Sequence, residues 1–159
     1  EGKFHGYGMG FARYKNLGAY CAIFLEISVE PNTGLVTVRR ARAAVDCGEG
    51  VNPDGVRNQV EGGLIQSLSW CTREAISHDA ERRTSFDWSS YPILRFGDVP
   101  LEIEVDVLPR PGEPFLGVAE ASQGPTSAAF ANALADATGV RFREMPLTPE
   151  KLRRALLTL

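Results

Sequence analysis

The stretch Tyr20-Cys-Ala-Ile-Phe-Leu-Glu-Ile-Ser-Val29, followed by Glu30, Pro31-Asn-Thr-Gly34 and Leu35-Val-Thr-Val-Arg-Arg-Ala-Arg-Ala-Ala-Val45, decides the architecture. In its first segment Cys21, Ile23, Leu25, Ile27 and Val29 alternate, so they share one face of a strand, with Glu26 and Ser28 opposite. Pro31 presets φ and Gly34 accepts φ > 0, which makes Pro31 to Gly34 a turn. The residues from Leu35 to Val45 then form a second strand, paired antiparallel with the first as a hairpin.

Upstream, Gly6, Gly8 and Gly10 alternate with Tyr7, Met9 and Phe11 in a third strand from Phe4 to Tyr14. One face of it is bare, which predicts close packing against another layer unless the segment is simply a glycine-rich frayed end. Downstream, Asn52-Pro53-Asp54 opens a helix, with Asn52 as N-cap, Pro53 in the first position and Asp54 at the positive end of the dipole. Val56, Val60, Leu64 and Leu68 recur at i+4, with Ile65 beside them, and mark its buried face. Gly62-Gly63 costs about 1 kcal/mol per residue against Ala, so both are expected to face a close-packed surface. Trp70 to Ile76 reads as weakly strand-like and His78 to Thr84 as a polar loop.

A clean strand follows from Leu101 to Leu108, with Leu101, Ile103, Val105 and Val107 inward and Glu102, Glu104 and Asp106 outward. Pro109 to Pro114 is a loop, Pro125 to Ala137 an alanine-rich helix closed by Gly139, and the last helix starts at Thr148-Pro149 and buries Leu152, Leu156 and Leu159. Strands with helices between and after them, and no regular βαβ alternation, predict an α+β fold of antiparallel strands with helices packed on them. The 159 residues, 43% apolar and 23% charged, suit one domain over 1–159.

A net charge of −3 without a basic stripe argues against nucleic-acid binding. No run approaches the roughly 18 to 20 apolar residues of a membrane span. Cys21, Cys47 and Cys71 stand alone, with only His5 and His78 for company, so a zinc cage is not expected and buried thiols are. Cys47 ends a strand without a partner histidine and reads as structural. The start at Glu1, without a methionine, reads as the edge of a longer polypeptide.

Charge is unevenly distributed. Between Glu113 and Asp136 lie 22 residues with Glu120 as their single charged group, where the chain-wide 23% predicts about five. Burial of such a carboxylate raises its pKa and makes it a general base near neutral pH, whereas a solvated loop carboxylate has no such role; composition leaves both open. Gly124-Pro-Thr126 begins a helix whose N-terminus favours an anion. Gln59 and Glu61 lie just before the glycine pair, where a backbone can approach a large ligand.

Ala44-Val-Asp-Cys-Gly48, Val51-Asn-Pro-Asp54, Asn58-Gln-Val-Glu-Gly-Gly-Leu-Ile-Gln66, Ser90-Tyr-Pro-Ile-Leu-Arg95 and Leu116-Gly-Val-Ala-Glu-Ala-Ser-Gln-Gly-Pro-Thr126 occur in that order, followed by Ala131-Asn-Ala133 and Asp136-Ala-Thr-Gly-Val-Arg141. Together they resemble the C-terminal part of the molybdopterin-binding subunit of the xanthine oxidase family, in particular its isoquinoline 1-oxidoreductase and nicotinate dehydrogenase branch. The resemblance implies a C-terminal fragment of a molybdenum cofactor-binding domain, in an enzyme that hydroxylates an N-heteroaromatic or aldehyde substrate with oxygen from water. It implies molybdopterin, in its cytosine dinucleotide form, and 2Fe-2S clusters on a small partner subunit.

By position Glu120 takes the family's general-base role. The family motif usually reads Gly-Val-Gly-Glu-Pro, and here it is Gly117-Val-Ala-Glu-Ala121, with Ala119 and Ala121 as departures. Gln59 matches the glutamine of the family's Gln-x-Glu-Gly-Gly segment against the cofactor, and Val118 and Ala119 contribute backbone beside the metal. The remaining cofactor loops lie upstream in that family, so the expected partners are the upstream part of the same subunit and the iron–sulfur subunit, and the isolated chain is expected to hold no molybdenum. The competing reading is a stand-alone binding module that keeps the fold without the chemistry.

Overall fold

The computed structural model describes residues 2–157, and the expectation for Leu159 falls outside them. Strands β1 (Phe4–Arg13), β2 (Tyr20–Val29), β3 (Val36–Asp46) and β4 (Ile103–Val107) form one sheet in the order β1-β2-β3-β4. The first three pair antiparallel, with a bulge opposite Glu26/Ile27 that adds a residue to β3. β4 joins β3 in parallel, after the long crossover that contains helix α1. The hairpin is as the alternation predicted: Cys21, Ile23, Leu25, Ile27 and Val29 are fully buried.

Helix α2 (Gln123–Thr138) lies on that face. The alternate glycines of β1 explain how. A Cβ at Gly6 would sit 2.6 Å from the backbone nitrogen of Ala137, one at Gly8 2.9 Å from Ala133 Cα, and one at Gly10 2.9 Å from the Pro125 carbonyl carbon. Three successive points on the strand thus contact successive turns of α2, and Ala129, Phe130, Ala133 and Leu134 fill the layer between. The segment is a packed strand rather than a frayed end. On its free edge the Asp136 carboxylate accepts from Tyr7 N at 2.8 Å and Asn132 Nδ2 donates to Met9 O at 2.9 Å.

Helix α1 (Pro53–Thr72) starts as predicted, with Gly55 N donating to Asn52 Oδ1 at 3.0 Å. It continues through Trp70 and Cys71, so the strand-like reading of Trp70 to Ile76 is overturned. Cys71 extends the buried row of Val60, Leu64 and Leu68, a helical spacing. Gly63 packs against Ser122 of the α2 N-terminus, but a Cβ at Gly62 would meet nothing within 4 Å. Close packing thus accounts for one glycine of the pair.

The strand expected from Leu101 begins at Ile103. Leu101 is 73% exposed, although its N–H still donates to Val38 O at 3.1 Å. Helix α2 ends on Gly139 at φ 72°. Helix α3 (Pro149–Leu156) is capped by Thr148 and buries Leu152. None of the helices of the described residues is long and apolar enough to cross a membrane.

Candidate active site

The loop from Pro109 to Ser122 is held residue by residue against the ends of other elements. Arg110 donates from Nε and Nη2 to Asp46 Oδ2 at 2.9 and 2.7 Å, and Asp46 Oδ1 also accepts from Gly48 N. The Arg110 hydrogen bonds hold the Asp46 carboxyl below the usual carboxylate range. Glu49 N donates to Glu113 O and Leu116 N to Cys47 O at 2.7 Å. Gly48, at φ 67°, is pressed against the Pro114 carbonyl, which leaves no room for a side chain. Cys47 is buried and burial raises its thiol pKa, which supports the structural reading.

Further along, the turn between β1 and β2 takes over. Ala19 N donates to Gly117 O at 3.1 Å. Gln59 Nε2, on α1, donates to Ala119 O at 2.8 Å, and Ala121 N closes a turn onto Val118 O at 2.7 Å. Ala119 adopts φ 25°, a conformation that a non-glycine residue rarely takes. Glu120 follows at the entrance to α2, where Tyr14 Oη donates to Glu120 Oε2 at 2.5 Å.

The four residues singled out in the sequence therefore converge. Gln59 and Ala119 line two depressions on either side of the loop, one of about 270 Å³ and one of about 570 Å³; Glu120 lines the smaller and Val118 the larger. The smaller is rich in amides: Asn58, Gln59, Gln66 and Gln123. Gln123 Nε2 donates to Gln66 Oε1 at 2.8 Å across the α1–α2 seam. Two expectations gain detail. Gln59 commits an N–H to Ala119 O, which leaves its Oε1 without a partner among the described residues. Glu120 is exposed, the solvated one of the two placements that composition left open.

Tyr14 was missed in the sequence. It follows a strand and carries no motif, and a lone tyrosine at a strand end gives no signal of what lies across from it.

The arrangement suits a pterin held by hydrogen bonds. The N–H groups of Val118, Ala119 and Glu120 donate to nothing among the described residues, and these residues line the two depressions together with the amide side chains. Three or more His, Cys, Asp or Glu side chains that could hold a metal ion do not cluster among the described residues.

Residues 4–100 match the molybdopterin cofactor-binding domain family. The chain belongs to that family. Over 157 residues it is 42% identical to a nicotinate dehydrogenase polypeptide of Pseudomonas putida, covering 95% of this chain and 13% of that protein. It is 32% identical to the beta chain of isoquinoline 1-oxidoreductase of Brevundimonas diminuta, over 89% of this chain and 18% of that one. The crystal structure of the aldehyde oxidoreductase of Desulfovibrio desulfuricans superposes with a TM-score of 0.75 at 30% identity, over 86% of this chain and 15% of that chain. Both the family resemblance and the α+β fold of a molybdopterin-binding domain are thus borne out. The chain spans less than a fifth of the length of these relatives.

Proposed function

We propose that this chain supplies the general base and one wall of the cofactor pocket in a molybdenum hydroxylase acting on an N-heteroaromatic or aldehyde substrate. The observation that carries the reading is the convergence of the Glu120 carboxylate, the Gln59 amide and the open N–H groups of residues 118–120 on one loop beside an amide-lined cavity. Gln59, with its free Oε1, and the backbone of Val118 and Ala119 would hold molybdopterin, in its cytosine dinucleotide form.

When bound, the cofactor supplies the redox centre for the overall conversion of a C–H group and water into C–OH, two protons and two electrons. Glu120 Oε1 takes a proton in that reaction, and the electrons leave for 2Fe-2S clusters on a small partner subunit. The remaining walls of the pocket come from the upstream part of the same subunit, so residues 1–159 act as one domain of a larger active site. The isolated chain is expected to bind no molybdenum and to lack hydroxylase activity.

General base catalysis contributes about 10²- to 10⁴-fold. In the full-length subunit Glu120→Gln should therefore lower turnover by at least about 100-fold while metal analysis finds molybdenum at the wild-type level. Near-normal turnover in that variant removes Glu120 from the mechanism.

A further inference from the structure

The contact between Tyr14 and Glu120 spans 106 residues of sequence and joins the β1–β2 turn to the loop of the proposed base. We propose that Tyr14 is a positioning residue for Glu120: its hydroxyl donates to Oε2 and holds the carboxylate in one orientation, leaving Oε1 as the oxygen that takes the proton. This rests on the general-base reading of Glu120.

The hydroxyl is placed by constraints on both sides of it. Tyr14 N donates to Ala19 O at 2.9 Å, and Tyr14 O accepts from Leu17 N at 3.1 Å and Gly18 N at 2.8 Å. Lys15 at φ 48° and Asn16 at φ 61° turn the chain back, so the tyrosine backbone is fixed within a tight turn. Ala19 N then ties that turn to Gly117 O, three residues before the glutamate. Gly18 leaves the space this needs: a Cβ there would lie 2.9 Å from Gly117 O and 2.9 Å from Tyr14 Cδ1. Lys15 Nζ sits 5.2 Å from the centre of the Tyr14 ring and adds a cation on the ring face.

The Glu120 side chain is otherwise exposed, and its Oε1 has no hydrogen-bond partner among the described residues. An untethered exposed glutamate populates several staggered rotamers. A charge-assisted hydrogen bond to one oxygen selects among them, and selection of a reactive geometry acts on the chemical step more than on substrate binding.

The test uses two readouts. In this chain, three-bond couplings should report one χ1 rotamer for Glu120 in the wild type and averaging in Tyr14→Phe, with the rest of the amide spectrum unchanged. In the full-length enzyme, Tyr14→Phe should lower kcat about tenfold with KM within about twofold and molybdenum content unchanged. A single rotamer retained in Tyr14→Phe, or an unchanged kcat, overturns the proposal. Should the variant fail to fold, the wild type decides: a cross-peak from the Tyr14 hydroxyl proton to the Glu120 side chain supports the contact, and its absence overturns it. Failure of the general-base reading appears separately, as turnover by Glu120→Gln, and leaves the rotamer measurement unaffected.

Discussion

Gly8→Ala tests the seam between β1 and α2. The new methyl carbon would sit 2.9 Å from Ala133 Cα and closer still to Ala129 O. Ordinary carbon–carbon contact is about 3.5 to 4.0 Å, so strand and helix must separate by roughly 1 Å, and a gap of that size forfeits a quarter to a half of the dispersion energy of the atoms facing it. The obstructing atoms belong to backbone, so no side chain can rotate away, and Ala129, Phe130 and Ala133 are fully buried beside them. Overpacking usually costs about 1 to 3 kcal/mol. The upper end, about 3 kcal/mol, applies here, and for a chain of this size it lowers Tm by about 6 to 12 °C. Gly62→Ala is the internal control: its Cβ meets nothing within 4 Å in mid-helix, and it should stabilise by about 0.5 to 1 kcal/mol. Urea and thermal unfolding of both variants of this chain measure the difference. A Gly8→Ala protein as stable as the wild type would refute the close-packed seam.

Two further outcomes follow from the same structure. Asp46 has its folded pKa depressed by Arg110, so its contribution to stability is present above the unfolded value of about 3.9 and is lost as pH falls through the lower folded value. The stability gap between wild type and Asp46→Asn should hold near neutral pH and close below about pH 4, as urea titrations at a series of pH values will report; a gap that widens on acidification contradicts the sign. All three cysteines are buried, and burial pushes the Cys21 thiol up to about 11 and raises Cys47 and Cys71. An aromatic disulfide reagent should therefore find no fast-reacting thiol in the native chain and three in urea, and one rapidly titrating native thiol contradicts the burial.

Much of the fold was legible because its signals are local. Alternation from Cys21 to Val29 specifies a buried face whatever lies above it, and Asn52-Pro53 specifies a helix start through its own N–H accounting. The misreadings lie where local and global preferences diverge. Trp70 to Ile76 has no strong period of its own, and burial of Cys71 beside Ser67 and Ser127, between α1 and α2, carries the helix on to Thr72. Leu101 fits the alternation, yet the sheet ends before it can be covered. Glu120 sits in an apolar stretch whose burial the sequence left open, because an apolar neighbourhood in sequence is not burial in space; the fold exposes it.

Periodicity, capping chemistry and glycine spacing act within a few residues, and they were enough to specify the hairpin, the capped helices and the loop that carries Glu120. The packing of α2 decided that the glycine face of β1 belongs to a strand and not to a frayed end. Packing in three dimensions was needed to make β4 run parallel to β3, to bring Gln59 onto the carbonyl of Ala119 and to carry Tyr14 to Glu120. Those relations join residues 60 to 106 positions apart, and a hydroxyl or an amide carries no sequence mark of its partner until packing brings the two within about 3 Å.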